Sequence, residues 1–157
     1  MRFSALMQSM TRVGAACAVE VPANWMQGRT TYGGLTGALC LEAVLRAYPD
    51  LQPLRSAQIS FLGPVGGKVS VEPEVLTRGK NVAFAGADIF SEAGLAARAV
   101  FAFGAERESA LKAAFVPFRE FPAPETLKAP RREGATGFGL EFDVRWVAGG
   151  NPFSGSS

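Results

Sequence analysis

An α+β fold, with a curled antiparallel sheet wrapped around one long central helix, is what this 157-residue sequence predicts. Three features point there. The run from Leu35 to Tyr48 is apolar or small except at Thr36, Glu42 and Arg46, and a helix apolar nearly all round is buried on most sides. Behind it come several β-rich stretches separated by short Gly-containing turns, the mark of an antiparallel meander. The length suits one core, which at this size buries roughly 70% of the unfolded chain's surface.

The elements run in order along the chain. Phe3, Leu6, Met7 and Met10 stand at helical spacing and predict a short N-terminal helix, broken by Gly14. Ala15 to Val21 reads as a strand ended by Pro22, and Asn24 to Gly34 as a polar, Gly-containing loop around Trp25. The long helix stops at Pro49-Asp50. Leu54 to Leu62 is the next strand, and Gly63-Pro64 with Gly66-Gly67 is a turn region. A strand through Val69, Val71 and Val75 reaches about Thr77, and Arg78-Gly79-Lys80-Asn81 turns the chain. Val82 to Phe90 returns, Glu92-Ala93-Gly94 turns again, and Leu95 to Phe103 closes the meander.

From Pro117 the composition changes. Pro117, Pro122, Pro124 and Pro130 fall in one short span, which reads as a linker over 117–137. Phe138, Leu140, Phe142, Val144 and Trp146 then alternate as in a strand, before Gly149-Gly150-Asn151-Pro152 and a small polar tail to Ser157. A strand without a following partner predicts the start of a second, incomplete unit over 138–157, with residues 1–116 as the main domain.

Composition excludes several functions. Sixteen Lys and Arg stand against fourteen Asp and Glu, and the longest basic run is Arg131-Arg132, so no nucleic-acid footprint is expected. The chain has no histidine, which removes Ser-His-Asp and Cys-His triads, His-containing zinc sites and every imidazole base. Cys17 and Cys40 lie in apolar surroundings and read as small buried hydrophobes rather than metal ligands or a disulfide framework. No run of about 20 apolar residues offers a membrane span, and Met1 to Met10 lacks a signal-peptide pattern, which makes a cytoplasmic protein the default.

Tyr32-Gly33-Gly34-Leu35-Thr36-Gly37-Ala38-Leu39 carries a more specific pattern. A Gly-Gly pair entering a buried helix, followed by a meander, resembles the hot-dog fold of acyl-CoA thioesterases. Trp25, the stretch Arg55-Ser56-Ala57-Gln58-Ile59-Ser60-Phe61-Leu62-Gly63-Pro64, then Val75-Leu76-Thr77-Arg78-Gly79-Lys80 and Val100-Phe101-Ala102-Phe103-Gly104 fall in the same order. Together they resemble the N-terminal half of the double hot-dog, acyl-CoA thioesterase II-like group. Phe142-Asp143-Val144-Arg145-Trp146-Val147-Ala148-Gly149 resembles the opening strand of that group's second hot-dog.

The resemblance implies thioester hydrolysis, in which a carbonyl is polarised and a water activated. Backbone N–H groups at a helix N-terminus lack internal partners and carry partial positive charge, so they can stabilise an oxyanion. The N–H groups of Gly33, Gly34 and Leu35 are candidates for that role, or else form a tight loop-to-helix entry. The nearest helix carboxylate is Glu42, nine residues after Gly33. In the related single-domain families the equivalent spacing is eight, a position held here by Leu41, and one residue turns a helix by about 100°. Glu42 is therefore either a general base or the i,i+4 partner of Arg46.

In the double hot-dog group an Asp, a Thr or Ser and a Gln orient the water, chiefly from the C-terminal half. Ser56, Gln58 and Ser60 lie on the corresponding strand here without an Asp, and read as ordinary strand residues or half a site. The turn Arg78-Gly79-Lys80 lies, by the same resemblance, near bound coenzyme A; otherwise it is a solvated hairpin tip. Arg29 has the same two readings of binding or loop anchoring. Trp25, Phe61 and Phe84 either line an acyl tunnel or pack the core.

The expected ligand is thus an acyl-CoA, with coenzyme A part of the substrate and no separate cofactor or metal. The expected partner is a second hot-dog unit, as a homodimer or as a missing half, because a lone sheet of this kind leaves an apolar face and an edge uncovered. A non-catalytic acyl-CoA binding module is the alternative. Hot-dog hydratases rely on a histidine that this chain does not have.

Overall fold

The computed structural model describes residues 1–113, 115–128 and 137–148. Helix α1 spans Phe3–Ser9 and is followed by strands β1 (Thr11–Val13) and β2 (Ala16–Val21). A 3-10 turn, Ala23–Trp25, leads to a two-residue hairpin of β3 (Met26–Gln27) and β4 (Thr30–Thr31). Helix α2 (Gly33–Ala47) crosses the domain to β5 (Leu54–Phe61), and β6 (Gly67–Arg78), β7 (Val82–Ser91) and β8 (Gly94–Gly104) form the meander. The main sheet has the order β1-β2-β6-β7-β8-β5, antiparallel throughout. This is the predicted arrangement of helix and sheet.

Alternation decides which face of the sheet meets α2. Ala83, Ala85, Ala87 and Ile89 of β7, and Ala97, Ala99, Phe101 and Phe103 of β8, are all buried. The small side chains let the helix lie close to the strands, and Leu35, Leu39, Cys40, Ala43 and Val44 fill the contact. Strand β5 runs along a second side of the helix. A Cβ on Gly37 would come 2.6 Å from Ile59 Cδ1, and one on Gly33 would come 3.0 Å from Phe61 Cζ. Glycines one turn apart thus open the path that β5 takes. Its outer edge is free among the described residues, and all its residues but Ile59 are exposed. Arg46, on the outward face of α2, donates to the carbonyls of Met7 (2.7 Å) and Met10 (2.8 Å), joining the capping Met10 N–H (3.2 Å) on Met7 and tying the end of α1 to α2.

Three expectations are corrected. The segment read as a break after α1 contains β1, which pairs with β2 around Gly14. The loop 24–34 contains the β3–β4 hairpin, and α2 begins two residues early, at Gly33. Phe138 to Val147 forms no strand: Gly137–Glu141 is a 3-10 turn and residues 142–148 pair with no strand. The segment does not join either edge of the sheet, and Phe138 and Phe142 instead pack onto Trp25 and Tyr32. The described part of the linker, 117–128, holds a single 3-10 turn, Pro124–Thr126, and is largely exposed. Pro130, Arg131-Arg132 and the stretch from Gly149 to Ser157 lie outside the described residues.

Candidate active site

The site is built on the entry to α2. Val65, buried in the loop between β5 and β6, fixes the β3–β4 hairpin: Thr31 donates to its carbonyl through both N–H (2.7 Å) and Oγ1 (2.8 Å), and its own N–H donates to Thr30 Oγ1 (3.0 Å). Those bonds set two walls apart. Gln27, Arg29, Thr30 and Thr31 make one, while Phe61, Leu62, Gly63 and Pro64 make the other. Between them opens a groove of about 830 Å³ with Gly33 in its lining. Phe61 stands 60% exposed with its ring over Gly33.

At the head of α2 no side chain caps the backbone. The carbonyl of Tyr32 takes the N–H groups of Leu35 (2.9 Å) and Thr36 (3.1 Å), and Tyr32 N–H donates back to Trp25 (2.9 Å). The N–H groups of Gly33 and Gly34 have no partner among the described residues. Two free donors therefore stand at the positive end of a 15-residue helix, that of Gly33 in the groove lining and that of Gly34 next along the chain. Leu35 does not join them: its N–H is spent on Tyr32, and its side chain is core.

Glu42 is also corrected as a base in this groove. It does not line it, and its Oε1 accepts from Arg46 Nε at 2.7 Å, the i,i+4 pairing that the spacing offered as the alternative. Among the described residues no carboxylate lines the groove. The hydroxyls of Thr30 and Thr31 are engaged with Val65, which leaves Gln27 and Arg29 as the polar side chains with no hydrogen-bond partner among the described residues.

Arg78, Gly79 and Lys80 lie elsewhere. Arg78 pairs with Asp50 through both guanidinium branches, at 2.6 and 3.2 Å, and Gly79 N–H closes the turn onto the Val82 carbonyl at 2.8 Å. Asp50 lies just past the far end of α2, so this turn and Gly33 stand about one helix length apart, roughly 22 Å at 1.5 Å per residue. Within one unit the structure does not bring the two predicted sites together. Ser56, Gln58 and Ser60 lie on β5, outside the groove lining. Trp25 is buried as a hub, its Nε1 donating to the Met1 carbonyl (3.0 Å), while Phe84 stands on the outer sheet face. Among the described residues no group of three or more Cys, Asp and Glu is placed to hold a metal, and no helix is long and apolar enough to cross a membrane.

The sequence reading missed Gln27, and it did not place Arg29, read there for binding or loop anchoring, in one groove with Gly33. The signal was present as Gly28 between Met26-Gln27 and Thr30-Thr31, a two-strand pattern with a turn residue at its centre.

Comparison with known proteins agrees with this geometry. The family described as acyl-CoA thioesterase N-terminal domain matches residues 21–104, from the end of β2 to the end of β8. No curated protein matches the chain. Among solved structures, a conserved protein of unknown function with a hot dog fold from Alicyclobacillus acidocaldarius superposes with a TM-score of 0.82 at 16% identity, over 92% of this chain and 55% of its own. A putative thioesterase II from Thermobifida fusca gives 0.70 at 20% identity, over 87% and 51%. The tesB protein of Mycobacterium avium subs paratuberculosis gives 0.62 at 21% identity, over 79% and 48%. The chain is a hot-dog fold and spans about half the length of these structures.

Proposed function

The chain belongs to the acyl-CoA thioesterase N-terminal domain family, and from that premise we propose that it holds the thioester carbonyl of an acyl-CoA for attack by water. The observation that carries this reading is the unpartnered N–H of Gly33, in the lining of a groove with an apolar wall, with the unpartnered N–H of Gly34 next to it on the first turn of α2. The carbonyl oxygen accepts from them, and they bind more strongly as negative charge builds on it. Leu62 and Pro64 offer contact to the acyl chain. Orientation of the water falls to polar groups of a paired unit, since no described carboxylate of this chain lines the groove. The reaction in this form needs no metal or prosthetic group.

The free edge of β5 supports the pairing. If β5 meets a like strand of a second hot-dog unit antiparallel, its Leu54 end lies beside the partner strand's Phe61 end. The Arg78-Gly79-Lys80 turn, which shares the Leu54 end, then approaches the groove across the interface and offers Lys80 to the coenzyme A phosphates. The second unit is either another copy or a further half beginning at residues 138–157. A cytoplasmic role in lipid metabolism fits such a substrate.

The lack of a groove carboxylate among the described residues favours a second reading, acyl-CoA binding without turnover. Thiol release from acyl-CoA esters of graded length, run beside calorimetric titration with the same esters, separates the two. Turnover lost in a Gly33→Val variant supports the first, and binding without thiol release supports the second. Absence of both overturns the acyl-CoA assignment.

A further inference from the structure

We propose that residues 137–142 are a brace for the head of α2, with Phe138 and Tyr32 as positioning residues for the Gly33 and Gly34 amides. Phe138 stacks on the Tyr32 ring, with centroids 4.4 Å apart and planes 6° from parallel. The same ring crowds Gly34, where a Cβ would come 2.5 Å from Tyr32 Cε1. Phe142 meets both Tyr32 (5.5 Å) and Trp25 (5.9 Å) edge-on, and Asn24 Nδ2 donates to Glu141 Oε1 at 2.8 Å. The turn is seated by Gly137, whose φ of 68° and 2.6 Å Cβ approach to the Met26 carbonyl leave room only for glycine. A segment more than a hundred residues downstream thus presses the ring whose own carbonyl ties the first turn of α2.

The arrangement has a functional sense that rests on the carbonyl-binding reading. Donors that stabilise a transition state work when they are held before reaction, and uncapped first turns fray. Tyr32 supplies the carbonyl that holds Leu35 and Thr36, so fixing its ring fixes the two free amides just ahead of them. The apolar residues of 137–142 thus support the head of α2 from a segment that lies beyond the sheet of this unit.

The test is amide hydrogen exchange by NMR on the full chain, comparing the parent with Phe138→Ala, Phe138→Leu and Phe138→Tyr. Leucine keeps apolar bulk without the stack and guards against unfolding of the alanine variant. Exchange at Leu35 and Thr36 is expected to rise about tenfold in the alanine and leucine variants, while Ala43, Val44 and the β7–β8 amides stay unchanged and tyrosine restores the parent rate. Unchanged rates at Leu35 and Thr36, or a uniform rise at every amide, overturn the brace. This arm decides the matter even if the chain turns over no thioester. Where turnover is measured, the brace predicts a kcat about tenfold lower in Phe138→Leu with KM little changed. A kcat equal to the parent's, despite faster exchange, overturns the positioning role while leaving the thioesterase reading intact.

Discussion

Gly34→Ala is the most searching perturbation of the packing at the head of α2. The new methyl would sit 2.5 Å from Tyr32 Cε1, 2.9 Å from Cζ and 3.0 Å from Oη. The ring cannot simply swing aside, because Phe138 is stacked on it and Phe142 meets it edge-on. Overpacking of this kind costs about 1–3 kcal/mol, and replacing glycine by alanine in a helix returns at most about 1 kcal/mol. With the full helix gain the net loss is about 0–2 kcal/mol, which for a chain of this size lowers Tm by up to roughly 8 °C. Gly33→Ala is the internal control. Its methyl would meet Phe61 Cζ at 3.0 Å, but that ring is mostly exposed and free to yield, so stability should stay within about 0.5 kcal/mol of the parent. Scanning calorimetry or urea unfolding reads both. A double-mutant cycle sharpens the result: with Phe138→Ala the Tyr32 ring is released, and Gly34→Ala should then cost less by about 0.5–1 kcal/mol. A Gly34→Ala variant as stable as Gly33→Ala, or strict additivity in the cycle, would refute the clamped-ring account.

Arg46→Ala should destabilise by about 1–3 kcal/mol in urea unfolding, since it removes a charged donor from two carbonyls at the end of α1, of which Met7 keeps only the Met10 N–H, whereas Glu42→Gln should cost only a few tenths. Glu42→Gln should also leave any thioester turnover at the parent level; a loss of more than tenfold would restore Glu42 as a base. The Arg78 guanidinium holds the Asp50 carboxyl below its usual value, so the pair's contribution is present above pH 4 and is lost as pH falls through the depressed value. Both groups are exposed, so the contribution is small and salt-sensitive, and Asp50→Asn should flatten that part of the acid limb in pH-dependent melting. Burial, with a smaller push from Asp88, raises the Cys40 thiol to about 12. Its unfolded value is near 9, so its contribution is whole below pH 9 and fades as pH rises toward 12, and native protein at pH 8 should show no rapid labelling of Cys40 by a thiol reagent.

Much of the fold is legible because it is written in local periods. The apolar run of α2 and the alternation in β6 to β8 each show in single stretches of sequence, and so does the Glu42–Arg46 pair at its i,i+4 spacing. The doubled glycine marks the head of the helix. What escapes depends on contacts between distant residues. Nothing near Arg78 announces Asp50 as its partner, and nothing at Leu35 shows that a backbone carbonyl, rather than a side chain, takes its N–H. Phe138 to Trp146 misleads because a period of two describes any segment that turns alternate side chains to a surface. Here the same pattern settles as a 3-10 turn on an aromatic hub, through ring contacts with residues more than a hundred positions away.

The alanines that line β7 and β8 have a further consequence. They bring the helix near, and Leu35, Leu39, Cys40, Ala43 and Val44 fill the space between helix and sheet as core. If the proposed acyl-CoA reading holds, the length of the acyl group is gauged outside this core, at the groove walled by Leu62 and Pro64. Substitutions in that groove could then alter chain-length preference without disturbing the packing of helix on sheet.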